Sequence, residues 1–462
     1  MSETQNTSPP GEPNHANGTP GQPSFGDLLS DCVHCGFCLP TCPTYVLWGE
    51  EMDSPRGRIH LMEQAHDPAS DRPRQLPDAA VRAFDNCLGC LACVSSCPSG
   101  VRYDQLIEST RAAVEQEYDR PWTERLLRAA IFALFPYRRR LAAMRGPLRA
   151  YQASGLSTLL RDSGLLERLS PTLATMERIS PPVRPTPELP DLVPARGRRR
   201  AVVGMLTGCV QGALFPQVNT ATARVLAMEG CDVVIPREQG CCGALSAHAG
   251  RSREAAAMTR ATVRTFERAG VDRIVVNSAG CGSTMKHYPG VLDTAGVAGG
   301  GAGWRRRAEA LSARVVDLTE LLVELGPQAR RHPLPMRIAY HDACHLAHGQ
   351  GVTTQPRALL RAIPQLELAE IADPEVCCGS AGVYNLLNPD PAHELGMRKA
   401  TDVAATAAEV LVAGNPGCSL QISAALEQAG TSMAVAHTAQ VLDASLRGLS
   451  PEALRTSAPN SA

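Results

Sequence analysis

Two cysteine runs with the same spacing dominate this 462-residue chain. Each has the pattern C-x2-C-x2-C-x3-C-P. The first run contains Cys32, Cys35, Cys38 and Cys42, and the second contains Cys87, Cys90, Cys93 and Cys97. Three thiolates at such short intervals wrap a loop around three irons of one cubane [4Fe-4S] cluster, and the fourth is turned away towards another cluster. The fold must therefore bring the two runs together.

The spacing predicts a crossed set of ligands, as in bacterial two-cluster ferredoxins. One cluster takes Cys32, Cys35, Cys38 and Cys97, and the second takes Cys87, Cys90, Cys93 and Cys42. The alternative is a pair of zinc knuckles, because thiolates also bind zinc. Zinc sites use two separated C-x2-C pairs rather than three consecutive steps followed by C-P, which argues against zinc. The predicted role of these cysteines is electron transfer.

Composition restricts the other function classes. The formal net charge of −1 favours neither nucleic acid nor anionic membranes in general. The first residues lack the basic and apolar regions of a secretory signal, and the longest apolar stretch, residues 129–135, is too short to span a bilayer. Most of the 17 cysteines have metal-type spacings rather than those of a disulfide framework. We therefore predict a soluble, cytoplasmic protein, with peripheral attachment to the inner face of the plasma membrane as an alternative.

Changes in composition divide the chain into seven segments. We predict a disordered tail at 1–23, a helical ferredoxin-like domain at 24–118, a helical bridging region at 119–180, a proline-rich linker at 181–200, two α/β domains at 201–330 and 331–447, and a tail at 448–462. Helical periodicity between the two cysteine runs predicts short helices in place of the usual small strands. The bridging region is either a helical hairpin packed on its neighbours or a basic amphipathic face for a membrane or partner subunit.

The carboxy-terminal half is an internal duplication. Its first unit contains Cys209, Cys241, Cys242 and Cys281, and its second contains Cys344, Cys377, Cys378 and Cys418. The first cysteine precedes the CCG pair by 32 or 33 positions, and the last follows the pair by 39 or 40, which chance rarely produces. Short β-branched runs alternate with helical patterns, so the predicted fold class is α plus α/β, with parallel sheets in the duplicated pair. The cysteines follow strand ends, where open α/β sheets bind ligands.

Three histidines, His341, His345 and His348, surround Cys344 in the sequence. One interpretation is that they donate hydrogen bonds to the sulfurs of a cluster, with His345 as a candidate ligand. The other is that they are hydrogen-bonded histidines at the end of a strand. The same two interpretations apply to His248, near the first CCG pair.

Three further residues do not belong to either type of cysteine pattern. Cys231 lies outside both quartets and is predicted to be a small buried hydrophobic residue. Arg56 and Arg58 lie between the two runs and are interpreted as partners of carboxylates, as contacts with a partner subunit, or as solvated arginines.

Motifs for an organic cofactor are absent from the sequence. It contains no G-x-G-x-x-G after a predicted strand, no P-loop and no nucleophile elbow. Two-electron chemistry on an organic substrate needs such a cofactor. We therefore expect no catalytic residue here, and expect the substrate to react on a separate flavoprotein subunit.

Several segments resemble the iron-sulfur subunit of bacterial glycolate oxidase. They are CVHCGFCLPTCPTY, SPRGRI, CPSGVRY, QGCCGALSAH, CCGSAGVYNL and NPGC, and the resemblance covers residues from about 26 to 445. It implies two [4Fe-4S] clusters, one or two further clusters in the CCG units, FAD on partner oxidase subunits, and transfer of electrons from glycolate oxidation to a quinone or other membrane acceptor. Iron-sulfur subunits of lactate and glycerol-3-phosphate dehydrogenases share these segments, so those two substrates remain alternatives.

Heterodisulfide reductases use the same building blocks, but this chain departs from their pattern. Their CCG unit ends in C-x2-C, and the corresponding positions here are Ser278 and Asn415. Each unit therefore has four candidate thiolates rather than five, which argues against thiol-disulfide chemistry. Four thiolates suffice for one cluster per unit, or belong to a structural remnant without one.

Overall fold

The computed structural model describes residues 23–74, 76–183 and 188–455. The predicted amino-terminal tail, apart from residue 23, and the end of the predicted carboxy-terminal tail lie outside the described residues.

Short helices surround the two cysteine runs. They are α1 (Phe25–Ser30), α2 (Pro43–Trp48), α3 (Pro55–Ala65), α4 (Asp78–Asn86), α5 (Ala92–Ser95) and α6 (Tyr103–Glu117), with a 3-10 turn at Glu51–Asp53 and two strands, β1 (His66–Asp67) and β2 (Arg72–Pro73). Pro43 and Pro55 occupy first helical positions, where the missing N–H costs nothing. The prediction of helices instead of small strands is confirmed for most of this region. It is wrong at β1 and β2, which form a two-residue antiparallel pair.

Five helices form the bridging region. They are α7 (Trp122–Leu134), α8 (Arg138–Ala153), α9 (Leu156–Asp162), α10 (Leu165–Leu169) and α11 (Pro171–Arg178). On α7, Ile131 and Phe132 are buried against Val383 and Leu386 of the second α/β unit. Hydrophobic burial thus ties this region to the carboxy-terminal half. Of the helices in the described ranges, none is long and apolar enough to cross a membrane.

The first α/β unit has a five-stranded sheet. Its elements are β3 (Leu192–Val193), β4 (Ala201–Leu206), α12 (Val210–Leu214), α13 (Pro216–Met228), β5 (Cys231–Val234), α14 (Ala244–His248), α15 (Ser252–Ala269), β6 (Arg273–Val276), α16 (Ala279–Lys286), α17 (Tyr288–Thr294), a 3-10 turn (Gly296–Gly299), α18 (Gly301–Ser312), β7 (Val315–Asp317) and α19 (Leu318–Leu325). The strand order is β3-β5-β4-β6-β7, and only β3 is antiparallel to its neighbour. This edge strand lies within the proline-rich segment.

The second unit repeats this arrangement. Its elements are β8 (Met336–His341), α20 (Cys344–Gln350), α21 (Thr354–Arg361), β9 (Leu366–Glu370), α22 (Tyr384–Leu387), α23 (Pro389–Ala405), β10 (Val410–Ala413), α24 (Pro416–Gln428), β11 (Ala434–Ala436), α25 (Thr438–Arg447) and α26 (Glu452–Arg455). The parallel order β9-β8-β10-β11 matches β5-β4-β6-β7 strand for strand. The register also corresponds, since Gly204 is opposite Ile274 and Ala339 is opposite Leu411. The predicted duplication and fold class are confirmed.

The two units pack reciprocally around one hydrophobic core. Helix α13 of the first unit contacts α25 of the second, and α21 of the second contacts α19 of the first. Buried residues of both sheets form a single cluster between these helices. Arg224 and Asp443 make a bidentate ion pair across the interface, with N–O distances of 2.8 and 2.5 Å. Helices α14 and α17 of the first unit and α20 of the second contact the cysteine-run region.

Candidate metal centres

The first candidate centre lies at the surface. A cavity of about 410 Å³ is lined by the thiols of Cys32, Cys35, Cys38 and Cys97. The loop between these cysteines turns sharply, with φ of 52° at His34 and 86° at Gly36. Burial raises the pKa of Cys38 to about 11, whereas Cys35 is exposed. Cys35 is thus the exposed cysteine of this centre, and Cys32, Cys38 and Cys97 are half-buried.

The second candidate centre is buried. Its cavity, of about 310 Å³, is lined by Cys42, Cys87, Cys90 and Cys93. Cys93 also lines the first cavity, so the two centres share a wall. The structure thus groups Cys97 with the first run and Cys42 with the second. This is the crossed arrangement that the spacing predicts, and the ligand role of each thiol stays a prediction.

Arg58 forms the polar wall of the second centre. Its side chain is 1% exposed, and its Nε donates a hydrogen bond to the carbonyl of Ala83 at 2.6 Å. Its Nη2 donates to Thr44 Oγ1 at 3.0 Å and to Asp53 Oδ1 at 3.1 Å, and its Nη1 lies 3.9 Å from Cys42 Sγ. A buried guanidinium with all these partners is held in one orientation beside the thiols.

The charge of Arg58 affects Cys87. Burial opposes ionisation of this thiol, but Arg58 and Arg111 outweigh it and lower its pKa. Gly89 N and Tyr103 Oη also donate hydrogen bonds to Cys87 Sγ, at 3.3 and 3.7 Å. A thiolate is the metal-binding form of cysteine, so this environment favours ligation.

The two arginines of the SPRGRI segment differ in environment. Arg56 is 29% exposed and pairs with Glu51 at 2.6 Å. Arg58 pairs with Asp53 in the interior. Pairing with carboxylates describes both residues, and the solvated interpretation is wrong for Arg58 because α3 turns it towards the core.

The four cysteines of the first CCG unit converge at the carboxyl ends of β4, β5 and β6. The sulfurs of Cys209 and Cys241 lie 3.5 Å apart, and Cys242 lies beside both Cys241 and Cys281. Hydrogen bonds from Cys209 and Cys242 lower the pKa of Cys241 well below its usual value. Cys231 lies outside this group, fully buried on β5, and fits the predicted small hydrophobic residue.

The second CCG unit repeats the convergence and adds a histidine. Hydrogen bonds from Cys377 and Cys418 lower the pKa of Cys378 well below its usual value. Cys344 lies beside Cys377 and completes the quartet. The ligand atoms of His341, Cys378 and Cys418 lie within 4.8 Å of one another.

The other three candidate histidines are engaged elsewhere. His345 Nε2 is 2.9 Å from the carbonyl of Gly89, and its ring lies 4.9 Å from that of His248. His348 Nδ1 is 2.7 Å from Ser95 Oγ. His345 is therefore not placed as a ligand, and His341 takes the position beside the thiols because it ends β8.

The donor sets fit iron-sulfur clusters. All the cysteines are free thiols, and each of the four quartets is assembled from soft sulfur donors. At the positions of the missing fifth cysteines, Ser278 Oγ and Asn415 Oδ1 are 3.4 Å apart, and Asn415 Nδ2 donates to Cys418 Sγ at 3.5 Å. Polar groups that support the quartets occupy these positions instead of thiols.

Sequence analysis missed Arg111 on α6. Its guanidinium donates hydrogen bonds to the carbonyls of Phe84, Cys87 and His248, and so joins the second centre to the first CCG unit. Its sequence signal is weak but present, because it follows Ile107 by four positions on the apolar face of α6.

The glycines after the two CCG pairs provide a test of how tightly each loop is packed. Gly243 and Gly379 have φ of 94° and 87°, so alanine at either position costs about 1–2 kcal/mol of strain. A Cβ at Gly379 would lie 2.5 Å from the carbonyl of Ala392, whereas one at Gly243 would lie 3.3 Å from that of Ala255. We expect Gly379→Ala to lower the free energy of unfolding by at least about 1 kcal/mol more than Gly243→Ala. Urea unfolding of the two variants measures this, and the reverse order would contradict it.

Three known families match separate parts of the chain. Residues 28–101 match the 4Fe-4S dicluster domain, and residues 203–286 and 338–423 match the cysteine-rich domain. Residues 123–180 match the family described as the linker region of the glycolate oxidase iron-sulfur subunit.

Whole proteins of known type are also similar. The probable glycolate oxidase iron-sulfur subunit of Bacillus subtilis (strain 168) is 37% identical over 415 residues, which cover 88% of this chain and 91% of that protein. The glycolate oxidase iron-sulfur subunit of Escherichia coli (strain K12) is 34% identical over 401 residues, or 86% and 90% of the two chains. Lactate utilization protein A of Exiguobacterium sp. is 31% identical over 242 residues, or 52% of this chain and 96% of that protein.

Proposed function

This chain belongs to the family of glycolate oxidase iron-sulfur subunits, and from that premise we propose the reaction that it serves. It is an iron-sulfur electron-transfer protein, and its donor is a FAD-binding subunit that oxidises glycolate to glyoxylate. Its acceptor is a quinone. The chain thus acts as the non-flavin subunit of an oxidoreductase complex.

The proposed reaction balances. Glycolate gives up two electrons and two protons on becoming glyoxylate, and a quinone takes up the same number on becoming a quinol. When bound, iron-sulfur clusters supply one-electron transfer between the two. The thiols of the two cysteine runs are proposed to hold two [4Fe-4S] clusters, and those of the CCG units to hold one or two more.

The observation that supports this most is the burial of the successive centres. Around the first centre, Cys35 is exposed, and Val33 and Phe37 are 68% and 66% exposed. The second centre is buried, and its Cys90 packs in one cluster with Cys377 of the second CCG unit. The centres therefore lead from an apolar surface patch into the interior, which suits a partner that docks at Val33 and Phe37 and a path shielded from water.

Reduction by glycolate tests the proposal. The full chain should be purified without oxygen together with the subunits that it binds, and its iron-sulfur visible absorption followed after addition of glycolate, L-lactate or glycerol 3-phosphate. We expect glycolate to bleach the absorption and the other two to do so far more slowly. Phe37→Ser should slow bleaching by glycolate and leave bleaching by dithionite unchanged at equal iron content, because Phe37 is 66% exposed in the docking patch, although it also lines the first cavity.

Val297→Ser is the matched control, since Val297 is fully exposed and lies outside the patch. It should leave both rates unchanged. If L-lactate bleached the absorption faster than glycolate, lactate would replace glycolate as the proposed substrate, in line with the similarity to lactate utilization proteins. If dithionite alone bleached the absorption, none of the three compounds would be the electron donor.

A further inference from the structure

A cavity lined by only one thiol of the quartets, that of Cys87, lies where the four parts of the molecule meet. It measures about 640 Å³, including space open to solvent. Its walls come from the loop after α4, from α6 and α7, from α14 of the first CCG unit and from α20 and α22 of the second. No single domain forms this cavity.

Three polar atoms of its lining residues lack hydrogen-bond partners in the described part of the chain, and one of them, Arg120 Nε, is 3.8 Å from Glu115 Oε2. Tyr384 is 6% exposed, and its Oη has no hydrogen-bond partner among the described residues. The same holds for the buried Nε2 of His248. The Nδ1 of His248 is 3.0 Å from a carboxylate oxygen of Glu108, which only accepts, so Nδ1 carries a proton, and in the tautomer protonated at Nδ1 alone Nε2 is an acceptor. Buried polar atoms without partners cost free energy, so their presence indicates a missing ligand.

The charges in the wall select a neutral ligand. Arg120 and Arg128 are engaged by Asp85, Glu115 and Glu124. Arg111 donates to three backbone carbonyls. The charges of Arg120 and Arg128 are thus compensated by carboxylates, and Arg111 is engaged by backbone carbonyls, which disfavours a carboxylate such as glycolate as the ligand.

Part of the wall is apolar. Leu88, Leu245, Val383 and Leu387 line the cavity, and the last three belong to the buried cluster around Phe132 of α7. A flat hydrophobic ring that bears a few neutral hydrogen-bonding groups satisfies these walls together with Tyr384 and His248.

The cavity is also next to the electron path. Cys87 and Leu88 line both this cavity and that of the second candidate centre. On the opposite side the wall contains His345, which adjoins Cys344 of the second CCG unit. A ligand here is therefore separated from the thiols of the second centre by one layer of residues.

We propose that this junction cavity binds a quinone, with the Tyr384 hydroxyl donating to a ring carbonyl and His248 Nε2 accepting from the hydroxyl of the quinol. The inference rests on the proposed function, because it gives the site at which the acceptor of that function binds. Leu88 and Leu245 pack on the ring, and Cys87 separates it from the second centre.

Calorimetric titration of the oxidised, cluster-loaded chain with ubiquinone carrying one isoprene unit tests the site. We expect saturable binding to the wild type. Tyr384→Phe, which removes one hydroxyl, should weaken it by about three- to tenfold. Ala249→Phe places a ring in the cavity and should abolish binding. Tyr340→Phe is the matched control, since that tyrosine is 1% exposed, its Oη also lacks a described partner, and it lies outside the cavity.

The outcomes are separable from those of the glycolate test, because no donor or flavoprotein is present. Binding that depends on Tyr384 supports the site even where glycolate fails to bleach the protein. Absence of binding to the wild type, or equal affinity in all variants at unchanged iron content, overturns the site even where glycolate bleaching succeeds.

Discussion

A Cys35→Ser/Cys97→Ser double variant is expected to lose no more iron than either single variant, about four atoms per chain. Cys35 and Cys97 line the same surface cavity, so both are predicted to hold one cluster. A Cys35→Ser/Cys42→Ser variant should lose about eight atoms, because Cys42 lines the buried cavity. Serine replaces a soft thiolate with a hydroxyl that stays protonated, and the ligand is lost. Iron and sulfide analysis with electron paramagnetic resonance measures the result.

This design distinguishes crossed from uncrossed ligation. If each run bound its own cluster, the Cys35/Cys42 pair would lose four atoms and the Cys35/Cys97 pair would lose eight. Each single variant should also abolish electron transfer to the acceptor while the flavin of the partner is still reduced. Cys231→Ala is the control, since this buried cysteine belongs to no quartet and should retain all the iron.

Replacing Arg58 with methionine should lower the free energy of unfolding by about 3–5 kcal/mol. Its guanidinium is 1% exposed, and its loss leaves Asp53 and Thr44 without their main charged donor. Removal of a positive charge near Cys42 and Cys87 should also lower the midpoint potential of the second cluster, because net charge near a cluster sets its potential. Urea unfolding and a redox titration followed by electron paramagnetic resonance measure the two effects.

Arg56→Met is the matched control, two positions away on the same helix. Its partner Glu51 is half exposed, so the free energy of unfolding should fall by less than about 1 kcal/mol. The midpoint potential of the second cluster should change little. Arg58→Lys should retain the charge but only part of the hydrogen bonding. Its midpoint potential should therefore be closer to that of the wild type than its free energy of unfolding is. Equal effects of the Arg56 and Arg58 substitutions would contradict the assigned role.

The sequence predicted those features that depend on spacing along the chain. The interval between cysteines determines which thiols a loop can bring around one cluster, and so the runs were recognised without tertiary information. The matching intervals around the CCG pairs likewise identified the duplication, since two copies of one fold keep their strand ends at equal separations. The same strand order in the two sheets confirms this.

Features that depend on side-chain direction were beyond the sequence. Arg56 and Arg58 differ by two positions on α3, which turns one towards solvent and the other towards the core. His345 is adjacent to Cys344 in sequence and His341 is three positions before it, yet the end of β8 directs only His341 towards Cys378 and Cys418. The short strand β3 in the proline-rich segment forms only because β5 offers it an edge.

The sequence by itself thus determined the cofactor chemistry, the fold class and the duplication, because these follow from local spacing and periodicity. Only the tertiary structure decided the arrangement of the centres from surface to interior and the existence of the junction cavity. The reason is that Arg111, His248 and Tyr384 come from segments far apart in the chain. They meet only when the cysteine-run region packs against both α/β units.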